Sequence, residues 1–306
     1  MLVNILLLIL GLFLLIRGAD AFVDGATALA HRFNIPEIII GLTVVAMGTS
    51  APEAAVSISS AVQNASGVAV GNVLGSNIAN ILFILGGSAT ITTLPFKKKT
   101  IQYEIPFVIF ITLVLMWFGV QYGAINRIAS VVLLLLFCVF LGYLWAADKK
   151  EILYVKEKTN MSLIKIGLSL LLGMGALIIG SNLTVESATN LATIFHVPNR
   201  IIGLTLVAFG TSLPELVTCI SAARKKHTGL VVGNIIGSNI FNVLFVLGIA
   251  GLISPIHFEY AFVIDAAISV MITILLWLFA IYRQNLTRGA GILFLLCYVG
   301  YIMHLI

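Results

Sequence analysis

Two glutamates, Glu53 and Glu215, sit inside stretches otherwise fit for lipid, and the stretches are copies of one another. Residues 39–53 read IIGLTVVAMGTSAPE and residues 201–215 read IIGLTLVAFGTSLPE, identical at twelve of fifteen positions at a constant offset of 162. A carboxylate inside an apolar segment is costly, so a duplicated one must be matched by something that binds it. Its neighbours offer oxygen. Thr49 and Ser50 precede Glu53 by four and three residues, a spacing that places all three on one face of a helix, and Thr211, Ser212 and Glu215 repeat the set. A second pair of segments, GNVLGSNIANILFILG (71–86) and GNIIGSNIFNVLFVLG (233–248), is identical at eleven of sixteen positions. Each carries a row at i, i+4 and i+8: Asn72, Ser76 and Asn80, then Asn234, Ser238 and Asn242. None of these side chains offers thiolate or imidazole, so the set suits a hard cation such as Ca²⁺ or Na⁺ and argues against zinc or copper. Pro52 and Pro214 remove the helical partners of the Gly48 and Gly210 carbonyls. Broken helix at membrane depth is tolerated where it lines an enclosed or watery site, and its carbonyls are hard ligands.

Each hydroxyl and amide in these rows has two readings. Ser, Thr and Asn in membrane helices also bond across helices or back to their own backbone. The two isolated carboxylates have one reading, a functional one. Asp20 follows Arg17 by three residues, a spacing for a local ion pair, whereas Glu104 and Asp265 fall near span ends and read as interfacial. His31, His196, His227 and His257 fall in loops and receive no role, and Cys138, Cys219 and Cys297 are assigned to packing.

The elements that must position these groups are membrane helices. The chain has 306 residues, 60% hydrophobic and 9% charged. Apolar runs long enough to cross a bilayer recur along it, at about 2–31, 37–63, 67–93, 101–122, 125–147, 162–195, 199–223, 229–253, 259–282 and 288–306. Such segments are helices because a helix satisfies its own backbone groups in lipid. The first is read as a span, since it lacks a basic lead-in and a small-residue cleavage site. Lys and Arg divide fourteen to two between the loops after odd and even spans, with Arg17 left inside the first. That asymmetry puts both termini outside and the basic loops in the cytoplasm of an inner or plasma membrane. The net charge of +5 is therefore topological and not a nucleic-acid footprint.

The repeat runs through the whole chain, with Gly18 facing Gly180, Phe33 facing Phe195 and Pro36 facing Pro198 at the same offset. The expected organisation is a first five-helix repeat over 1–147, a charged cytoplasmic linker over 148–161 and a second repeat over 162–306. Five is odd, so the second half enters from the opposite face. The fold expected is an all-α integral membrane protein of ten transmembrane helices, built as two inverted-topology five-helix repeats. Pairs of that kind build secondary transporters with the binding site near the midplane. A passive cation channel could be built the same way.

GTSAPE and GTSLPE, followed by GSNIAN and GSNIFN, resemble the two alpha-repeats of the sodium/calcium exchangers, within the calcium/cation antiporter superfamily. The resemblance covers the full ten-span plan. It implies a core of spans 2, 3, 7 and 8, with spans 1 and 6 sliding across it to alternate access. It implies that Glu53 and Glu215 are shared ligands for Ca²⁺ and Na⁺. Thr49, Ser50, Thr211, Ser212, Ser76 and Ser238 would add side-chain oxygens, Ala46 and Ala208 their carbonyls, and Asn80 and Asn242 would sit at the centre.

Some members, the potassium-dependent exchangers among them, carry aspartate where this chain has Asn242. Two central amides leave the centre with two formal negative charges, which one Ca²⁺ neutralises and three Na⁺ overfill by one. The expectation is a K⁺-independent, electrogenic Na⁺/Ca²⁺ antiporter, with a proton/Ca²⁺ antiporter or a K⁺-dependent exchanger as rivals. Proton-coupled relatives place a glutamate shortly after the Gly-Asn of spans 3 and 8, and Gly71-Asn72 and Gly233-Asn234 lack it. An enzyme is not expected, since there is no Ser/His or Asp/Asp arrangement and no nucleotide loop. No cofactor, nucleic acid or obligate protein partner is implied; the partners are the two ions and the bilayer.

Overall fold

The computed structural model describes residues 1–63, 66–148, 161–195 and 208–305. In chain order the helices are α1 (Leu2–Phe33), α2 (Glu37–Thr49), α3 (Ala51–Val62), α4 (Gly67–Ile91), α5 (Thr100–Tyr122) and α6 (Arg127–Asp148). Then follow α7 (Leu163–Ile194), α8 (Ala208–Thr211), α9 (Leu213–Arg224), α10 (Thr228–Ile253), α11 (Tyr260–Arg283) and α12 (Arg288–Leu305). Among the described residues seven helices are long and apolar enough to cross a membrane, eight when α2 and α3, bent by 48°, count as one broken span. The linker expected over 148–161 lies almost wholly outside the described residues, as do 196–207 at the start of the expected seventh span.

The helices sort by what surrounds them. The most apolar windows of α4 and α10 are 72% and 83% buried, against 22% for α1 and for α7, so α4 and α10 form the centre and α1 and α7 the flank. Leu6, Ile9, Phe13 and Ile16 on α1, and Leu168, Leu171, Leu172 and Ile179 on α7, are exposed, an apolar face suited to lipid. At 32 residues each, α1 and α7 are about 48 Å long, more than a hydrocarbon core of roughly 30 Å, so they are long enough to cross it with tilt or to project beyond it.

α1 and α7 lie against each other along their length. A Cβ at Gly11 would meet the Gly180 carbonyl at 3.0 Å, and one at Gly18 the Gly173 carbonyl at 2.9 Å. In lipid, close backbone approach of this kind is a main source of helix association. At the end of α1 a polar cluster joins it to α9. Ser221 Oγ donates to Asp20 Oδ1 at 2.6 Å, and Lys225 Nζ lies 2.7 Å from Asp24 Oδ1 and donates to the Asp20 carbonyl at 3.1 Å. The expected Arg17–Asp20 pair is thus replaced: the α9 side chains reach Asp20 across the interface, and Arg17 stacks over Phe13 at 5.7 Å. His31 lies in the last turn of α1 and not in a loop, and His227 Nδ1 lies 2.9 Å from Glu37 Oε1. Glu104 is buried.

Two short ribbons close the ends of the bundle. β1 (Leu94–Pro95) pairs antiparallel with β4 (Asn285–Leu286), and β2 (Ala124–Ile125) pairs with β3 (Ile256–His257). Each joins connections of like parity, those after expected spans 3 and 9, then those after 4 and 8.

A methyl at Gly18 would meet the Gly173 carbonyl and, at 3.0 Å, the Leu177 nitrogen, backbone atoms that cannot swing aside. Gly18→Ala is expected to lose about 1–3 kcal/mol of stability. Gly175→Ala, which meets nothing within 4 Å, should leave the Tm in detergent unchanged.

The hydrogen bond that His227 Nδ1 donates to Glu37 raises the His227 pKa above its ordinary value, outweighing partial burial, with Lys225 and Asp24 as further, opposing charges nearby. A raised folded value means stabilisation that is complete below the unfolded imidazole pKa of about 6.5 and lost as pH rises through the folded one. The Tm difference between wild type and His227→Gln is therefore expected to shrink across that window. A difference that stays flat or grows with pH would contradict the assignment.

Candidate cation site

Both glutamates sit where a helix stops and restarts. The backbone turns out of the helical region at Ser50 (φ −83°, ψ 10°) and at Ser212 (φ −87°, ψ 5°). Pro52 and Pro214 fall in the first turn of α3 and α9, where the missing N–H costs no bond within those two helices. The single helical face expected for Thr49, Ser50 and Glu53 is therefore not formed: Thr49 ends α2, Ser50 is the break and Glu53 opens α3. Glu53 and Glu215 each occupy the first turn of a helix, where the exposed N–H groups favour a carboxylate.

The pattern Ser-x-Pro-Glu is that of a capping box, in which the serine and the glutamate three residues on satisfy the same helix start. Here neither serine caps its own helix. Ser50 Oγ instead donates to Glu215 Oε1 at 2.7 Å, and Ser212 Oγ donates to Glu53 Oε1 at 3.0 Å and lies 3.2 Å from Ser76 Oγ, whose hydroxyl can donate to it. Each half of the chain thus supplies a donor to the other half's acid. All five of these residues are buried.

α4 and α10 supply the amides. Asn72 Nδ2 donates to the Glu53 carbonyl and to Ser57, while its Oδ1 accepts from Thr211 Oγ1 at 3.4 Å. Asn234 Oδ1 accepts from Thr49 Oγ1 at 3.1 Å and from Ser238 Oγ at 3.4 Å, and its Nδ2 donates to Cys219 Sγ. Asn80 and Asn242 open π-helical stretches, Asn80–Leu85 and Asn242–Val246, a local widening often found at functional sites. Asn80 donates to Asn239 Oδ1 at 2.9 Å and Asn242 to Asn77 Oδ1 at 3.2 Å. Asn77 and Asn239 were missed by the sequence reading. The signal was the first asparagine of GSNIAN and GSNIFN, three residues before the one selected.

The carbonyls divide. Ala46 O accepts from Ser50 N at 3.0 Å. The Gly210 carbonyl, freed by Pro214, accepts from Ser181 Oγ of α7 at 2.7 Å. Ala208 is the first residue of α8. Among the described residues, buried Glu53 Oε2, Glu215 Oε2, Asn80 Oδ1 and Asn242 Oδ1 have no hydrogen-bond partner. Each of these four oxygens is an acceptor without a donor, a need that a cation can meet.

The sequence model of the family described as sodium/calcium exchanger protein matches residues 3–146 and 165–306. An uncharacterised membrane protein of Methanocaldococcus jannaschii is 37% identical over 294 residues, covering 95% of this chain and 94% of that one. The sodium/calcium exchanger MaX1 of Methanosarcina acetivorans is 31% identical over 342 residues, covering 98% of each. Among solved structures, the sodium-calcium exchanger NCX_Mj soaked with zero Na⁺ and Ca²⁺ aligns with a TM-score of 0.89 at 34% identity, covering 100% of this chain and 99% of that one.

Ser181→Ala would strand the Gly210 carbonyl in an apolar interior. A loss of about 1–3 kcal/mol, read as a lowered Tm in detergent, is expected; an unchanged Tm would mean that the carbonyl finds another donor.

Proposed function

This chain belongs to the sodium/calcium exchanger family, and we propose that it exchanges Na⁺ for Ca²⁺ across the membrane by alternating access at one site shared by Glu53 and Glu215. It is an integral, multi-pass membrane protein and a cation/Ca²⁺ antiporter. The finer reading rests on the four buried, unpartnered oxygens of Glu53, Glu215, Asn80 and Asn242. Ser50, Ser76, Ser212, Ser238, Thr49, Thr211 and the Ala46 and Ala208 carbonyls are assigned around them as further oxygen donors.

Ten crossings in two inverted repeats, 1–147 and 162–306 joined by 148–161, are supported by the reciprocal bonds. Ser50–Glu215 and Ser212–Glu53 exchange places under the 162-residue offset. Ribbons between connections of like parity fit termini on one face, assigned as outside, with basic loops in the cytoplasm. The site carries two formal charges, so one Ca²⁺ leaves it neutral and three Na⁺ leave it one positive. Ca²⁺ and Na⁺ compete for the same oxygens, and an empty site with two bare charges cannot readily switch sides. Coupling follows from that exclusion. Asn242 keeps the central acids at two, which favours K⁺ independence. The paired flank α1–α7 is the element assigned to slide across the site, since its outer face is apolar and exposed.

The experiment is Na⁺-gradient-driven ⁴⁵Ca uptake into proteoliposomes at fixed pH, with and without K⁺. Wild-type uptake should carry current and ignore K⁺, and Glu53→Gln and Glu215→Gln should fall to background with intact folding. Uptake driven by a pH gradient but not by Na⁺ would assign proton/Ca²⁺ antiport, and flux without a counter-ion would assign a channel.

A further inference from the structure

We propose that Asn77 and Asn239 are positioning residues that decide which end of the Asn80 and Asn242 amides faces the cation; the inference rests on the site reading above. An asparagine amide has an acceptor end and a donor end of nearly equal size, and only the acceptor end can bind a cation. Which end faces inward is therefore a functional variable, and hydrogen bonds must set it.

The network sets it from two backbone carbonyls. The carbonyl of Asn77 can only accept, so the side chain facing it at 3.2 Å must be Nδ2 of Asn239. That leaves Asn239 Oδ1 at the other end, 2.9 Å from Asn80, so Asn80 must present Nδ2 to it. Asn80 Oδ1 is then turned away and is one of the four unpartnered buried oxygens. The mirror chain is built alike. The Asn239 carbonyl accepts from Asn77 Nδ2 at 3.2 Å, Asn77 Oδ1 accepts from Asn242 Nδ2 at 3.2 Å, and Asn242 Oδ1 is left without a partner. Each polarity is anchored at main chain that cannot reverse and handed through one asparagine to the next.

Asn77 and Asn239 use the donor and acceptor ends of their own amides in these bonds and are buried. They offer the site no free oxygen. Their effect is on orientation alone, and each acts on the asparagine of the opposite half.

An orientation role makes a prediction that a packing role does not. Aspartate has an oxygen at both ends, so it needs no orienting. In proteoliposomes, Asn77→Ala should raise the half-saturating Ca²⁺ concentration by about tenfold or more, because Asn242 is released to turn its NH₂ inward. In the Asn242→Asp background the same Asn77→Ala change should cost less than about a third of that factor, a non-additivity that a double-mutant cycle reads directly. An equal cost in both backgrounds, or wild-type Ca²⁺ dependence in Asn77→Ala alone, would overturn the inference. If Asn77→Ala does not fold, the mirror cycle of Asn239→Ala with Asn80→Asp poses the same question and is judged by the same two outcomes. Absence of Na⁺-driven uptake by the wild-type protein would count against the exchange reading, whereas normal wild-type uptake with additive mutants counts against the orienting role alone.

Discussion

Two carboxylates held inside a packed, apolar interior constrain everything else in this molecule. A charge moved out of water loses far more than an ordinary polar group, and a lone one is normally paired or neutralised. Among the described residues no Lys or Arg pairs with Glu53 or Glu215. What the protein supplies instead is partial: a helix N-terminus beneath each acid and one serine hydroxyl from the opposite half. These contacts hold the carboxylates in place and leave Oε2 of each without a donor.

The scaffold follows from that requirement. Carboxylates at helix starts need breaks in mid-bundle, and Pro52 and Pro214 place those breaks where their missing N–H is harmless. Breaks in mid-bundle need neighbours that can satisfy loose polar groups, which is why α4 and α10, the most enclosed helices, are lined with asparagine and serine and not with leucine alone. Ser181 of α7 takes the carbonyl that Pro214 frees. The flank formed by α1 and α7 then needs only an apolar outer face and a close inner one, and its glycines at 11, 18, 173 and 180 supply the second.

Much of this was legible in the residues, and the gaps have physical causes. The long apolar runs and the duplicated acids gave the membrane class and two buried carboxylates, because hydrophobic length and buried charge are strong one-dimensional signals. The face assigned to Thr49, Ser50 and Glu53 assumed a continuous helix, and the break at Ser50 removed it. Crossed pairing of Ser50 with Glu215 leaves no trace in local spacing, since its partners lie 165 positions apart. Asp20 shows the same limit: a partner three residues away looked sufficient, but Ser221 and Lys225 reach it across the packing interface. Asn77 was overlooked because it falls off the i, i+4, i+8 row, and only a π-helical stretch and a facing helix reveal what it touches.

The ribbons carry a consequence for how the molecule comes into being. Leu94 pairs with Leu286, and Ala124 with His257, so the ends of early helices stay open until the last part of the chain has been synthesised. During that interval the first acid also lacks its serine, because Ser212 has not yet reached it. A chain halted midway would hold the first acid without the hydroxyl that Ser212 brings to it and both ribbons with one strand each, so the half-made and the finished bundle differ at that carboxylate.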